Sequence, residues 1–385
     1  MDNNLFKSLT FTNEFSVEDW NSLLNTTLRV YFRTQEVFDG NKEVLRTELF
    51  NYFKFHKNEV LFSLFVETFR ELQLAIEDNK VLAIKELAKD FYEVSDTDLK
   101  WMTNFLTHPE HSKFSEHDKI YFYFKVIDDI VEGCFKPRFT LFYRFVLYNI
   151  NKTYSDTSKS DFGKLINEFP VSKVARYNLY LKDPIFGIHI NQWRNIAAHK
   201  SFSIQKDNIT VSYGKKSIKT ENISYDGFYK TLDWIINVYT VLRFSEVLID
   251  LNFIEDIVKE LGGTNKIKIR FESSLVHLVS NLQIVGFEFV KSEEENDVFS
   301  ITLKKKANDE LKSSLIHASQ CLDKLACSVY DDEFTKDKFK CVRVYVVDLE
   351  LSQTMSATVS IEIALKKVYR KLTQKEYISN ITFSI

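Results

Sequence analysis

Structure-breaking residues are scarce in this chain of 385 residues, which has only 9 Gly and 4 Pro. Gly and Pro are the main punctuation of backbone structure, so long uninterrupted elements are expected. Cysteine is scarce too. Cys134, Cys321, Cys327 and Cys341 show no Cys-x-x-Cys spacing. That argues against a zinc site or a dithiol redox motif and reads as free thiols in a reducing compartment. No apolar run reaches the length of a membrane span. Met1-Asp2-Asn3-Asn4 brings no basic segment ahead of an apolar one, so a signal peptide is not expected and a cytoplasmic protein is. Charge of one sign is not in excess either: 51 Lys and Arg face 54 Asp and Glu, a net charge of −3. General coating of nucleic acid is thereby disfavoured, which leaves local basic patches.

Aromatics are abundant, with 34 Phe and 18 Tyr. Over residues 1–132 they fall at helical spacing, as in Leu61, Phe62, Phe65, Phe69 and Leu72, or in Phe122, Val126, Ile127 and Ile130. This stripe reads as helical core rather than as a platform for stacking bases. His108, Glu110, His111, Glu116 and His117 gather metal-ligating groups. They surround Pro109 and lack the i,i+4 spacing of a helical ligand pair, so they read as an exposed loop, with no metal expected. Gly133-Cys134-Phe135-Lys136-Pro137 breaks the helical pattern and Gly262-Gly263 breaks it again. These breaks divide the chain into a helical domain (1–134), a central helical domain (135–261) and an α/β domain (262–385). The fold class expected is α+β, mainly α.

In the central domain, Arg138 and Arg144 read first as members of a solvated helix face and second as phosphate contacts. A helix is expected from about 186 to 199, with His189 read first as a partly buried structural residue and second as one facing a neighbouring subunit. Phe202 and Ile204, then Ile209, Val211 and Tyr213, alternate as a strand pair, and a long helix covers 226–249. In the last domain, Ile267, Ile269 and Phe271 alternate with basic residues as a strand. A helix over 309–329 and strands near 287–291, 298–303 and 342–349 complete a β-α-β-β-α-β order, which suggests a ferredoxin-like sandwich. The acidic run from Glu293 to Asp297 reads as a turn. Two basic clusters, Lys304-Lys305-Lys306 and Lys366, Lys367, Arg370, Lys371 and Lys375, read first as solvated faces and second as RNA contacts.

One stretch carries spacing that chemistry would choose: Gln192-Trp193-Arg194-Asn195-Ile196-Ala197-Ala198-His199-Lys200. Asn195 and His199 are four apart and share a helix face. Arg194 lies about 140° from His199 around an ideal helix, near enough for its long side chain to reach round. A histidine titrates near neutral pH and can take or give a proton. An arginine forks onto phosphate oxygens and stabilises developing negative charge. Together they suit metal-free cleavage of RNA. Arg-x4-His at a helix end is also met as a surface Arg beside a His that answers the helix dipole.

Arg194-Asn195-x-x-Ala198-His199 resembles the Arg-x4–6-His signature of the HEPN superfamily. Upstream, Asp161-Phe162-Gly163-Lys164-Leu165-Ile166 is similar to a Phe-Gly-x-Leu-Ile segment that opens a helix in such domains, and the strand pair plus long helix beyond the motif resemble the same family over residues 138 to 260. The resemblance implies a HEPN-like helical bundle and a metal-independent endoribonuclease without cofactor. His199 would be general acid/base, Arg194 would hold the scissile phosphate, and Asn195 would orient His199 or the phosphate. It also implies a homodimer and a defence or toxin setting in which tRNA or mRNA is cut on activation, with a trigger or antitoxin protein as further partner. Where partner-regulated members carry a Tyr two residues after the His, this chain has Ser201, so control through that tyrosine is not expected. The competing reading is a non-catalytic nucleotide- or RNA-binding or protein-interaction scaffold, which needs no titrating His.

Overall fold

The computed structural model describes residues 17–106, 114–157, 160–170, 175–206, 208–214, 217–263, 271–284, 286–305, 310–332, 335–348, 353–369 and 371–384. Among them the chain is α+β and mostly helical, with one three-stranded and one five-stranded sheet. It divides into two compact units, 24–264 and 265–385 with 1–23. The boundary expected at 134/135 falls inside the first unit, and the one expected at 261/262 falls beside the division.

Helix α1 spans Val17–Thr27, α2 Gln35–His56, α3 Glu59–Asp78, α4 Lys80–Leu106 and α5 Glu116–Ile130. Side chains cap four of them: Thr34 accepts from the Val37 N–H, Asn58 from Val60 and Leu61, Asn79 from Leu82, and Ser115 from Asp118. Each cap satisfies donors that a helix start leaves open. After α5 the chain makes a five-residue π-helical turn, Val131–Phe135, and passes into α6, Lys136–Asn151. Pro137 lacks an N–H and its ring crowds the carbonyl four residues back, which is Gly133. The wider turn accommodates it without ending the helical path. The pattern break at Gly133–Pro137 is therefore a register change between packed helices.

The unit continues with α7 (Phe162–Glu168), α8 (Asn178–Leu181) and α9 (Ile190–Ala198). Strands β1 (Phe202–Ile204), β2 (Asn208–Tyr213) and β3 (Lys219–Ser224) form an antiparallel sheet in sequential order. Helix α10 then runs 36 residues, Tyr225–Glu260, with a kink at Phe253. Its buried face meets α3 and α4, where Phe244 lies 4.9 Å from Phe65. Phe135, Phe139, Phe142, Phe169, Tyr177 and Tyr180 form a second aromatic cluster.

The two arginines expected on a solvated face are buried. Arg138 donates to Glu246 Oε2 at 2.7 Å, Asp98 Oδ1 at 2.8 Å, Thr97 Oγ1 at 2.7 Å and the Val94 carbonyl at 3.2 Å. Arg144 pairs with Glu86 and Asp90. Arg243 of α10 shares Asp98 at 2.7 Å and reaches Glu48 at 2.8 Å. These links tie α2, α4, α6 and α10 together. A buried charge without a partner is strongly destabilising, so each buried arginine depends on the acidic groups that meet it.

The C-terminal unit contains α11 (Phe271–Ile284), β4 (Phe287–Glu295), β5 (Val298–Lys305), α12 (Leu311–Ser319), α13 (Leu322–Asp331), β6 (Cys341–Val347), β7 (Thr354–Ser360), α14 (Ile361–Val368), α15 (Gln374–Ser379) and β8 (Thr382–Ser384). The strands lie in sequential order, parallel only between β5 and β6. This differs from the expected β-α-β-β-α-β order. Ile267 and Ile269 lie outside the described residues. Phe271 opens a helix, with its N–H on Asp332 Oδ2. The segment read as one helix over 309–329 is two, separated at Gln320 and Cys321, whose N–H groups bond three residues back. The acidic run mostly belongs to β4, and only Asn296-Asp297 makes the turn, with Asn296 left-handed at φ 53°.

Burial of Glu246 beside Asp250 and Asp98 raises its carboxyl from 4.5 to about 8, with Arg138 opposing the shift. Between those values the folded state holds a proton that the unfolded chain releases, so stability falls as pH rises across that window. The urea midpoint is expected to drop from pH 6 to pH 8.5, and Glu246→Gln to flatten the drop. A midpoint that rises over this range contradicts the assignment.

Candidate active site

Helix α9 is fixed by its apolar side. Ile190, Trp193, Ile196 and Ala197 are buried, and Asn191, Arg194, Asn195 and His199 line a cleft of about 830 Å³. The helix expected from 186 begins at Ile190 because Asp183 builds a turn ahead of it. Its carboxylate is buried and accepts from the N–H groups of Ile185 (2.7 Å), Phe186 (2.8 Å) and Ile188 (3.2 Å). It also accepts from the Trp193 indole at 3.0 Å. One side chain thus holds both the entry to α9 and the anchor that sets its rotation. His189 is half-buried in this turn. Burial, then Lys182, pulls its imidazole below the ordinary value.

The helix ends at His199, with φ −91° and ψ 2°. Lys200 is left-handed at φ 53°. Its N–H bonds the Ala197 carbonyl at 3.2 Å, and the Ser201 N–H bonds Ile196 at 2.9 Å. This is a Schellman stop with Lys where Gly is usual. It leaves His199 exposed on the last turn and sends the chain into β1. There Phe202 stacks on Phe124 of α5 with ring centroids 3.8 Å apart. The chain on both sides of the motif is therefore anchored to the helical core.

Arg194 points toward α5 and the π turn. Its Nη2 lies 2.9 Å from Glu132 Oε2 and its Nε 3.7 Å from Asp128 Oδ1. Its Nη1 donates to Asn195 Oδ1 at 3.2 Å. Glu132 also holds Lys136 at 2.6 Å. Burial raises the Asp128 carboxyl, Arg194 and His199 oppose the rise, and Asp129 and Glu132 add to it. Asn195 therefore orients Arg194 through its side-chain carbonyl.

Across the cleft stands the start of α7, with Gly163 and Lys164, and the end of β2, with Ser212 and Tyr213. The structure thus brings Arg194, Asn195 and His199 to one cleft. It adds Asn191 and Lys164 to the cleft lining, and, outside that lining, Asp128 and Glu132 as partners of Arg194 and Asp183 as partner of Trp193, none of which the motif reveals. Asp128 and Glu132, four apart at the end of an apolar helix, were the available signal for the acidic pair. Of the His-rich cluster, His108, Glu110 and His111 lie outside the described residues. Glu116 binds Lys119 and the Tyr229 hydroxyl. In the two basic clusters, Lys306 and Arg370 are outside the described residues, while Lys366 pairs with Glu362 and Lys367 with Asp323. Among the described residues no helix is long and apolar enough to cross a membrane.

The cleft and its side chains define the site only as a polar groove at a helix end. Comparison with protein-family models, with curated proteins and with solved structures gives no match.

Removing the Asp183 carboxylate would leave four donors open, two of them, the Ile188 N–H and the Trp193 indole, buried. Asp183→Ala is expected to lower unfolding free energy by about 3 kcal/mol or more, with Asp183→Asn costing less. Urea denaturation measures both. A loss under 1 kcal/mol for the alanine variant would show that the turn does not depend on this residue.

Proposed function

We propose that the chain is a metal-independent endoribonuclease with a HEPN-like site. His199 acts as general acid/base, Arg194 binds the scissile phosphate, and Asn195 holds the guanidinium in place. The observation that carries this reading is the convergence of Arg194, Asn195 and exposed His199 on one cleft at the end of one helix. In the reaction a ribose 2′-oxygen attacks phosphorus after losing its proton to imidazole. The P–O5′ bond breaks and the 5′-oxygen takes a proton from imidazolium. Arg194 meets the charge gathering on the non-bridging oxygens, which is where a preorganised cation contributes most.

The acidic partners of Arg194 do not prevent this. Its side chain is 31% exposed and those of Asp128 and Glu132 are each 36% exposed. Pairs this accessible are worth about 1 kcal/mol or less. A phosphate accepting two parallel N–H bonds can displace them. The helical unit and the strands directly after the motif fit a HEPN-like domain; action as a homodimer on tRNA or mRNA, in a defence setting and under control of a trigger or antitoxin, is what the resemblance implies. The same ion pairs favour the scaffold reading, in which Arg194 is a structural link between α9 and α5 and the chain binds without cutting.

Cleavage of RNA in chelator separates the two. Arg194→Ala and His199→Ala, each checked for folding, are expected to lose 10²-fold or more in rate. Equal rates in both variants and wild type remove the site. Absence of cutting by wild type, with RNA still bound, supports the scaffold.

A further inference from the structure

Two groups on the far part of the cleft have no role in that cleavage scheme. Asn191 is 9% exposed, and its carboxamide oxygen has no hydrogen-bond donor. Buried polar groups are normally paired, and an orphan in a cleft wall marks a partner that is not yet there. Asn191 precedes Arg194 by three residues and Asn195 by four, so all three lie along one side of α9. Facing it, an added Cβ at Gly163 would come within 3.1 Å of Asn191 Nδ2, so glycine gives the amide its room there. Next to Gly163, Lys164 is exposed on the cleft wall, and among the described residues no carboxylate forms an ion pair with it. An unpaired cation and an unpaired amide thus stand together beside the candidate active groups.

The geometry points to a second subsite, for the ribonucleotide adjacent to the scissile phosphate. Lys164 meets that nucleotide's phosphate, and the Asn191 carboxamide bonds its sugar or base edge. The subsite rests on the nuclease reading and deepens it. It sets which strand position the cleft grips beyond the cut. It also explains why a polar side chain occupies a buried place where Leu would pack without an orphaned oxygen. Arg194 is held in ion pairs that compete with substrate, whereas Lys164, which shares the cleft wall with Asp161 and Glu168, forms no ion pair with either among the described residues, so it meets the strand without first giving up a partner.

The test measures binding rather than cleavage. The full chain carrying His199→Ala is titrated, in chelator, against a fluorescein-labelled single-stranded RNA of about 12 nucleotides, within the range single-strand sites occupy. Adding Asn191→Leu is expected to weaken binding tenfold or more while leaving the thermal midpoint unchanged or higher, because an apolar side chain of similar size removes an unsatisfied group. Adding Lys164→Gln is expected to weaken binding and to reduce the salt slope by about 0.7, one phosphate contact to a single strand. Gly163→Ala, which keeps Asn191 but displaces its amide, is expected to weaken binding as well, and it decides the matter if Asn191→Leu does not fold. Unchanged affinity in these variants, with RNA bound by the parent, overturns the subsite and leaves the nuclease reading standing. A parent that binds no RNA overturns both.

Discussion

The indole of Trp193 and the carboxylate of Asp183 set the orientation on which the rest of the site depends. Trp193 is fully buried, so α9 cannot roll without withdrawing its largest side chain from the core. The indole N–H adds a directional constraint by meeting Asp183 at 3.0 Å. With the apolar side pinned, Asn191, Arg194 and Asn195 must face the cleft, and His199 must sit where the helix stops. The stop is itself local: two backbone bonds to Ala197 and Ile196, with Lys200 in a left-handed conformation. Neither the turn before α9 nor the stop after it needs a ligand to form.

Electrostatics divide the helical unit into two regimes. Deep in the core, Arg138 and Arg243 are enclosed by Asp98, Glu48 and Glu246, and every one of these contacts joins helices distant in sequence. Such ions cannot be exchanged for solvent without a large penalty, so they define which helices meet. At the cleft, Arg194 has a comparable number of acidic neighbours but shares them with water. The same chemical pair is structural in one place and displaceable in the other. The difference lies in exposure: Arg138 is 1% exposed and Arg194 31%.

The motif was legible in the sequence because its members are contiguous and helical spacing alone puts them near one face. The strands after His199 were legible for the same reason, since Ile209 and Val211 alternate into the core. What sequence reading missed depends on distant partners. Arg138 sits among Phe139, Phe142 and Phe145, and only carboxylates about 40 and 108 residues away explain how it can be buried there. Asp183 reads as a turn residue until the chain folds back and brings Trp193 to it. The break at Gly133–Pro137 reads as a domain junction because proline and glycine interrupt helices, and a π turn absorbs them here without ending the path. In the C-terminal unit three of the five strands were found, β7 and β8 were not, and neither was the order. Phe271 begins a helix, and the parallel neighbours β5 and β6 are separated in sequence by two helices rather than one.

The central claim is that the cleft cuts RNA through its own 2′-hydroxyl with imidazole moving the proton. The direct measurement is an analysis of product ends, in chelator, from an RNA and from the same RNA with a single 2′-deoxy residue at the cut position. The account predicts 2′,3′-cyclic phosphate and 5′-hydroxyl ends from the first and no cleavage at that position in the second. Cutting at the deoxy residue, or ends carrying a 5′-phosphate, would contradict it.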